Sequence, residues 1–366
     1  MSWVPPPPGP DRPECPYIPG FVMKAREHVP PVPFGQFGRY PPGKRDDPPD
    51  DLIATLPQTR HVLEYPPEDT QWPRGKPRRT ATITVTERII HGRDQRSKLV
   101  VCQVLVGGDN RPFTAVAKIY DALYYVPLEH GEEYVVQDAE WDYSGEATAY
   151  ATLQATKIPQ KPGFTPAYYG SWTFDLSLVM QGKAYKRSVR LILIEHIQGA
   201  TLRDLSTPKH PDSEPSAHRY DEAYRLEVLA QLLEGVVMQK HAGVDQHDLA
   251  SRNVMICPDP RKAEKPLSAP RVVLIDYNIA IVTKYSRYGP IPFFEDKPLP
   301  PNPVQLFWTA GLYDFYGWCP DEWHREGGLK KPFQDWLIKT FIWNNAAKFE
   351  PLHEDHPLRK TLDSLP

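Results

Sequence analysis

Proline constrains this chain more than any other residue type: there are 43 in 366 positions, dense at the front. Each fixes its own φ and removes a backbone donor, so helices and strands must fit between them. From Pro5 to Pro73 the chain is a succession of Pro, Gly and charge with few apolar pairs to bury. A segment of that kind tends toward extended polyproline conformations and cannot offset the entropy of ordering. Residues 1–78 are therefore expected to form a largely disordered or surface-wrapping leader. The same composition also suits a docking arm for a proline-recognising domain. Tyr17 to Phe37 carries several aromatics able to pack against a folded body.

Order is expected to begin near Arg79. Ala81 to Ile90 alternates apolar and polar residues, Leu99 to Val106 is a second β-rich run, and Gly107-Gly108-Asp109-Asn110 is strong turn chemistry before a third strand, Phe113 to Tyr120. Ser144 to Thr156 reads as a helix capped by Ser144. Tyr168 to Leu178 and Ser188 to Ile197 read as two more strands. Beyond Ile197 the character changes. Ser216 to His241 places Leu226, Leu229, Leu233 and Val236 or Val237 at helical spacing. Short strands at Val254 to Cys257 and Arg271 to Ile275 follow, then helices over Leu306 to Trp318 and Phe333 to Ala347. A β-rich part thus precedes an α-rich part.

Lys+Arg number 43 against Asp+Glu 46, a net charge of −3. That balance gives no electrostatic case for a nucleic-acid or membrane binder. The four cysteines (Cys15, Cys102, Cys257, Cys319) lack disulfide or metal-ligand spacing, which suits a reducing compartment. No apolar run approaches the roughly 18–20 residues of a membrane span, and MSWVPPPPGP lacks the layout of a signal peptide. An intracellular protein, cytoplasmic or nuclear, is expected.

Chemistry concentrates in two short segments, VDQHDLASRNVMI and VVLIDYNIA. The first carries Asp248 and, five positions on, Asn253; the second is an apolar run, Val272 to Ile275, that delivers Asp276. Phosphoryl transfer needs an acceptor-orienting carboxylate and hard oxygen ligands that fix Mg²⁺ on phosphates, and these residue types supply them. Each residue alone also reads as ordinary loop chemistry: a turn-forming Asp, a side-chain-bonded Asn, a strand-end cap.

These segments resemble the eukaryotic protein-kinase superfamily, in particular the divergent, compact protein-kinase-like proteins of fungi, over Arg79 to about Trp343. Gln246-His247-Asp248-Leu249-Ala250-Ser251-Arg252-Asn253 stands where that family has H-R-D-L-x-x-x-N, and Asp276-Tyr277-Asn278 where it has D-F-G. The resemblance implies that Asp248 orients the attacking hydroxyl and that Asn253 and Asp276 hold Mg²⁺, with Mn²⁺ able to substitute. Ala115-Val116-Ala117-Lys118 resembles V-A-I-K. By that likeness Lys118 reaches the phosphates of ATP and pairs with Glu146, with Glu140 a rival, while Val116 roofs the adenine. Arg190 to Ile194 followed by Glu195-His196-Ile197 resembles the fifth strand and hinge, whose backbone at Glu195 and Ile197 would bond adenine. The implied fold is α+β and two-lobed: a β-rich N-lobe over residues 79–197, then a shortened α-rich C-lobe over 198–366.

Several departures bear on activity. The G-x-G-x-x-G loop is missing, since Ile90 to Ser97 has one glycine, Gly92; Arg93 or Arg96 would have to compensate with charge. His247 replaces the arginine of H-R-D, Asn278 replaces the D-F-G glycine, and no A-P-E appears. Asp314 could brace the Asp248 loop or be an ordinary helical aspartate. The sequence therefore supports an ATP- and Mg²⁺-dependent phosphotransferase acting on a hydroxyl acceptor, with a protein Ser, Thr or Tyr as substrate. It leaves open a pseudokinase that binds nucleotide or partners without turnover. A small-molecule kinase of the aminoglycoside or choline type also stays open.

Overall fold

The computed structural model describes residues 12–36, 38–43, 48, 49, 52, 56–89, 96–126, 134–207, 216–262, 269–290, 296–310, 312–323 and 330–359. The chain divides into two compact units, one of Met1–Ala151 with Ala167–His196, the other of Thr152–Pro166 with Ile197–Pro366.

The first unit is built on six strands, β1 (Val22–Glu27), β2 (Thr80–Ile89), β3 (Lys98–Val106), β4 (Phe113–Tyr120), β5 (Tyr168–Met180) and β6 (Lys183–Glu195). They close into a barrel in the order β1-β2-β3-β4-β6-β5, antiparallel at every junction. Strands β2 to β4 form within a residue of where alternation places them. Gly108, at φ 95°, supplies the left-handed turn between β3 and β4. Ile83 and Val85 of β2, Val100, Cys102 and Val104 of β3, Ala115 and Ala117 of β4, and Leu193 of β6 are register partners, so they share one buried face. Val116, Lys118 and Tyr120 alternate onto the opposite face.

Closure depends on β1, which lies inside the proline-rich stretch, so order begins well before Arg79. Met23 pairs with Ile83 and Ala25 with Ala81, while Arg26 and Glu27 reach Thr173 and Trp172 of β5. Only Met23 and Ala25 of this strand are buried, too brief an alternation to show through the surrounding prolines. Tyr17 is buried too. Its hydroxyl donates to Asp121, whose carboxylate also accepts from Arg187 at 2.5 Å. Helix α1 (Gln58–Glu64) is tied down by Gln58, whose amide donates to the carbonyls of Ala122 and Tyr125 at 2.6 and 3.0 Å.

Helix α2 (Val135–Ala155) starts well before Ser144, which is buried within it rather than capping it. Val136, Ala139, Tyr143, Ala147 and Tyr150 form its buried stripe. Charged residues between them disguise that period in the sequence. They are buried because they are paired: Asp138 and Asp142 take Arg96 at 3.1 and 3.4 Å, and Glu140 accepts the Glu68 N–H at 2.6 Å.

The second unit carries three-stranded and two-stranded antiparallel sheets. The first orders β10-β9-β7 and the second pairs β8 with β11, where β7 is Ala200–Thr201, β8 Val244–Asp245, β9 Val254–Cys257, β10 Arg271–Leu274 and β11 Ile281–Val282. Its helices are α3 (Leu202–Ser206), α4 (Glu222–His241), α5 (Pro303–Phe307) and α6 (Lys330–Leu337), the last continuing as a π turn over Ile338–Trp343. Leu229, Leu232, Leu233 and Val237 bury one face of α4, and Gly235 leaves room for the Phe164 ring where a Cβ would collide.

The expected two-lobed protein-kinase-like fold with an α-rich C-lobe is therefore overturned. The sheet is a closed six-stranded antiparallel barrel, and helices are few. The barrel closes because β1 spans the edges of β2 and β5, which an open sheet would leave unpaired. The helix expected over Leu306 to Trp318 ends at Phe307: a 3₁₀ turn over Tyr313–Phe315, Gly317 at φ 77° and Pro320 end regular helix there. Among the described residues no helix is long and apolar enough to cross a membrane.

Candidate functional site

Two constellations gather the residues singled out in the sequence, one in each unit. In the second unit, β8 delivers the chain into the loop from Gln246 to Asn253, which ends in a 3₁₀ turn (Ser251–Asn253) and continues as β9. Strand β10 pairs antiparallel with β9 and so brings Ile275 and Asp276 back beside that loop, where the Ile275 N–H donates to the Asn253 carbonyl at 2.9 Å. Asp248, Asn253 and Asp276 are thereby neighbours through backbone pairing of two short strands.

Side chains then fix the loop. The Asn253 amide donates to the Asp248 carboxylate at 2.9 Å and to its main-chain carbonyl at 3.0 Å. Arg252 reaches both carboxylate oxygens of Asp248, at 2.5 and 2.7 Å. Gln246 accepts the Asp248 N–H at 2.8 Å and donates to the Asp276 carbonyl at 2.9 Å, stitching the two segments together. The Ser251 N–H donates to Asp314 at 2.5 Å, so that aspartate does brace the loop, from a 3₁₀ turn and not from a core helix. His247 turns away, lying 3.4 Å from Asp245, which Lys240 also contacts at 2.5 Å. Burial pushes the Asp245 carboxyl up, but His247 and Lys240 outweigh it and hold the group below its ordinary value.

Asp276 itself adopts the left-handed region, φ 64°. A non-glycine residue held there costs free energy, though less for Asp than for most types. The following Tyr277 locks the turn: its buried hydroxyl donates to the Leu274 carbonyl and accepts from Gln239 of α4, at 3.2 and 2.7 Å.

The donor set fits a hard divalent cation. Asn253 spends its amide nitrogen on Asp248, which leaves its side-chain oxygen as a candidate ligand, and Asp276 stands on the adjoining turn. Two oxygen donors from protein, completed by phosphate oxygens and water, is the pattern Mg²⁺ takes. Among the described residues no group of three or more His, Cys, Asp and Glu is placed to hold a metal.

In the first unit, Lys118 is 6% exposed on β4 and its ammonium lies 2.5 Å from Glu146 of α2, which is fully buried. The Tyr120 hydroxyl, on the same strand face, donates to the same Glu146 oxygen at 2.7 Å. Burial, and then the Glu146 charge, push the Tyr120 hydroxyl well above the ordinary tyrosine value, so it stays a donor. Glu146 is thus the partner of Lys118, and Glu140 is occupied by the Glu68 backbone. Val116 is buried one register step from the strand end, where Ala115 faces Glu195. The Glu195 N–H donates to the Ala167 carbonyl at 2.8 Å and its carboxylate accepts the Ala167 N–H at 3.0 Å, so that N–H is not available to a base. Ile197 follows as the first residue of the second unit's longer segment and is itself buried. Arg96 is committed to Asp138 and Asp142 with its guanidinium over Tyr125, which removes it as a substitute for phosphate-binding glycines; Arg93 lies outside the described residues.

Two contributors were not singled out by sequence reasoning. Tyr120 had a readable signal, two residues from Lys118 on one strand face. Gln246 had none, because its role needs Asp276 folded beside it. No family model and no curated protein matches the chain.

Proposed function

We propose that the chain is an ATP- and Mg²⁺-dependent phosphotransferase acting on a hydroxyl acceptor, with protein side chains as the substrate class. The observation that carries this reading is the joining of Asp248, Asn253 and Asp276 through Gln246 and the Asn253–Ile275 backbone bond. Asp248 takes the acceptor-orienting role. A hydroxyl loses its proton as it attacks phosphorus, and a positioned carboxylate typically contributes about 10²–10⁴-fold to such a step. Asn253 holds the Asp248 carboxylate in a fixed direction, and Arg252 would release one of its oxygens to the incoming hydroxyl. Bound Mg²⁺ would supply charge neutralisation on the phosphates, with the Asn253 side-chain oxygen and the Asp276 carboxylate as its protein ligands. In the first unit, Lys118 held by Glu146 is by itself a cation of the kind that binds phosphate.

A second reading, nucleotide binding without turnover, is favoured by one observation: Arg252 occupies both oxygens of Asp248. The two separate in one experiment. γ-Labelled ATP with Mg²⁺ is offered to the wild type and to Asp248→Asn with a mixed protein substrate. Label transfer that drops at least a hundredfold in the variant, with nucleotide binding retained, supports the transferase. Binding with no transfer by the wild type supports the second reading, and equal transfer by both proteins overturns the role of Asp248.

A further inference from the structure

The second unit holds a pocket of about 610 Å³ that the loop around Asp248 does not use. Its floor is one stripe of α4, and its opposite wall comes from Trp336 of α6, Thr340 and Phe341 of the π turn, and Asn344. Ala223 and Ala230 keep the α4 side shallow, and Leu226, which the helical period assigned to the core, is half-exposed and lines the pocket instead. Its size is in the range of a site for a small ligand. The wall is an unusual element, since π turns are rare and are frequently found at functional sites.

Charge divides this pocket into two ends. At one end Glu234 is held by Lys161 at 2.7 Å and by Lys348 at 3.3 Å, so two ammonium groups face one carboxylate and the end is positive by one charge. Burial raises the Glu234 carboxyl, but the two lysines outweigh it and keep the group ionised. At the other end is Glu227, which accepts from the neutral Gln231 amide at 3.0 Å and makes no ion pair among the described residues. Glu227 and Glu234 are seven residues apart on one helix, a separation of about 10 Å. Between them lie aromatic and apolar surfaces and the side-chain amides of Gln231 and Asn344.

We infer that this pocket binds a short extended peptide about three residues long. Its positive group would lie toward Glu227, its negative group toward Lys161 and Lys348, and an apolar or aromatic side chain against Trp336 and Leu226. Three extended residues span about 10 Å, which matches the separation of the charged ends. The amides of Gln231 and Asn344 suit a peptide backbone, which has donors and acceptors to satisfy along its length. The charges can come from the termini of a free peptide or from basic and acidic side chains within a partner chain.

The test is titration of the full chain, read by Trp fluorescence and calorimetry, with three probes: the zwitterion Ala-Phe-Ala, its doubly capped form acetyl-Ala-Phe-Ala-amide, and the capped charged peptide acetyl-Lys-Phe-Ala-Asp-amide. Saturable binding of either charged probe, at least tenfold tighter than the uncharged one, supports the site, and whichever charged probe binds better identifies the source. Lys348→Ala should weaken the charged probe about three- to fivefold, the size of one exposed charge contact. Ala230→Phe, which fills the floor without touching a charge, should abolish binding while leaving the unfolding midpoint within a few degrees. Equal affinity for charged and uncharged probes, no saturable binding of any probe, or undiminished binding by Ala230→Phe would overturn the inference.

Discussion

Asn253 donates its single amide group to both the carboxylate and the main-chain carbonyl of Asp248, at 2.9 and 3.0 Å. Asn253 is 4% exposed, so it orients the acid from inside the protein and not from solvent. Replacing it by Leu removes two bonds to a partly buried acceptor. The expected cost is about 1–3 kcal/mol of stability, measured by urea unfolding, together with loss of the Mg²⁺ dependence of nucleotide binding. Wild-type stability in Asn253→Leu would show that these bonds hold nothing.

Lys118 and Glu146 form a buried pair, and removing one partner strands the other's charge. Lys118→Met should lower stability by about 3–5 kcal/mol, and Lys118→Met with Glu146→Gln by clearly less than the two single changes added together. Simple additivity in that double-mutant cycle would mean that the pair is not coupled. Lys118→Arg should keep more of the stability than Lys118→Met.

The barrel is predicted to need the proline-rich stretch. Met23 is 1% exposed and pairs with Ile83, so Met23→Ala leaves a cavity in the closed sheet and should cost about 2–5 kcal/mol in urea unfolding. A chain beginning at residue 29 lacks β1 and should show cooperative loss of the first unit. Unchanged unfolding of that shortened chain would restore the picture of a disordered or surface-wrapping leader.

Acid should weaken the first unit through His28. This residue is 4% exposed, its Nδ1 bonds the Tyr143 hydroxyl at 2.6 Å, and its Nε2 bonds the Thr70 hydroxyl at 3.1 Å. Burial, with Arg190, Arg78 and Arg26 nearby, lowers it from 6.5 to about 2. The folded protein therefore keeps His28 neutral, while the unfolded chain takes up a proton below about pH 6.5. Stability falls as pH drops from there, by up to about 1.4 kcal/mol per unit from this group. His28→Asn should flatten the stability profile between pH 6.5 and 4; an unaltered slope would locate the acid sensitivity elsewhere.

Local strand chemistry was legible in the sequence, and closure was not. Strands β2, β3, β4, β9 and β10 follow from alternation and apolar runs, and the Gly108 turn from its residues. Strand β1 was hidden because a barrel strand needs only Met23 and Ala25 turned inward, while composition around it spoke for disorder. Helix α2 was read short because Asp138, Glu140 and Asp142 broke its apolar period, and only the fold supplies the Arg96 and Glu68 partners that let them be buried. The α-rich C-lobe was inferred both from helices expected over Ser216 to His241, Leu306 to Trp318 and Phe333 to Ala347 and from a family likeness of motifs, and motifs this short fix a loop without fixing the architecture around it. The grouping of Asp248 with Asn253 was readable from residue type and spacing, whereas the pairing of Lys118 with Glu146 came from the family likeness, which left Glu140 as a rival. The bridge through Gln246 was not readable, since it joins residues 30 positions apart.

Calorimetric titration of ATP in the presence and absence of Mg²⁺, comparing the wild type with Asp276→Ala, tests the assignment of the Asp248–Asn253–Asp276 loops most directly. The account predicts Mg²⁺-dependent binding by the wild type and at least a tenfold loss of affinity in the variant, which keeps a cooperative unfolding transition with its midpoint lowered by the strain of Ala at this left-handed position. Equal affinity in both proteins, or wild-type binding indifferent to Mg²⁺, would contradict it.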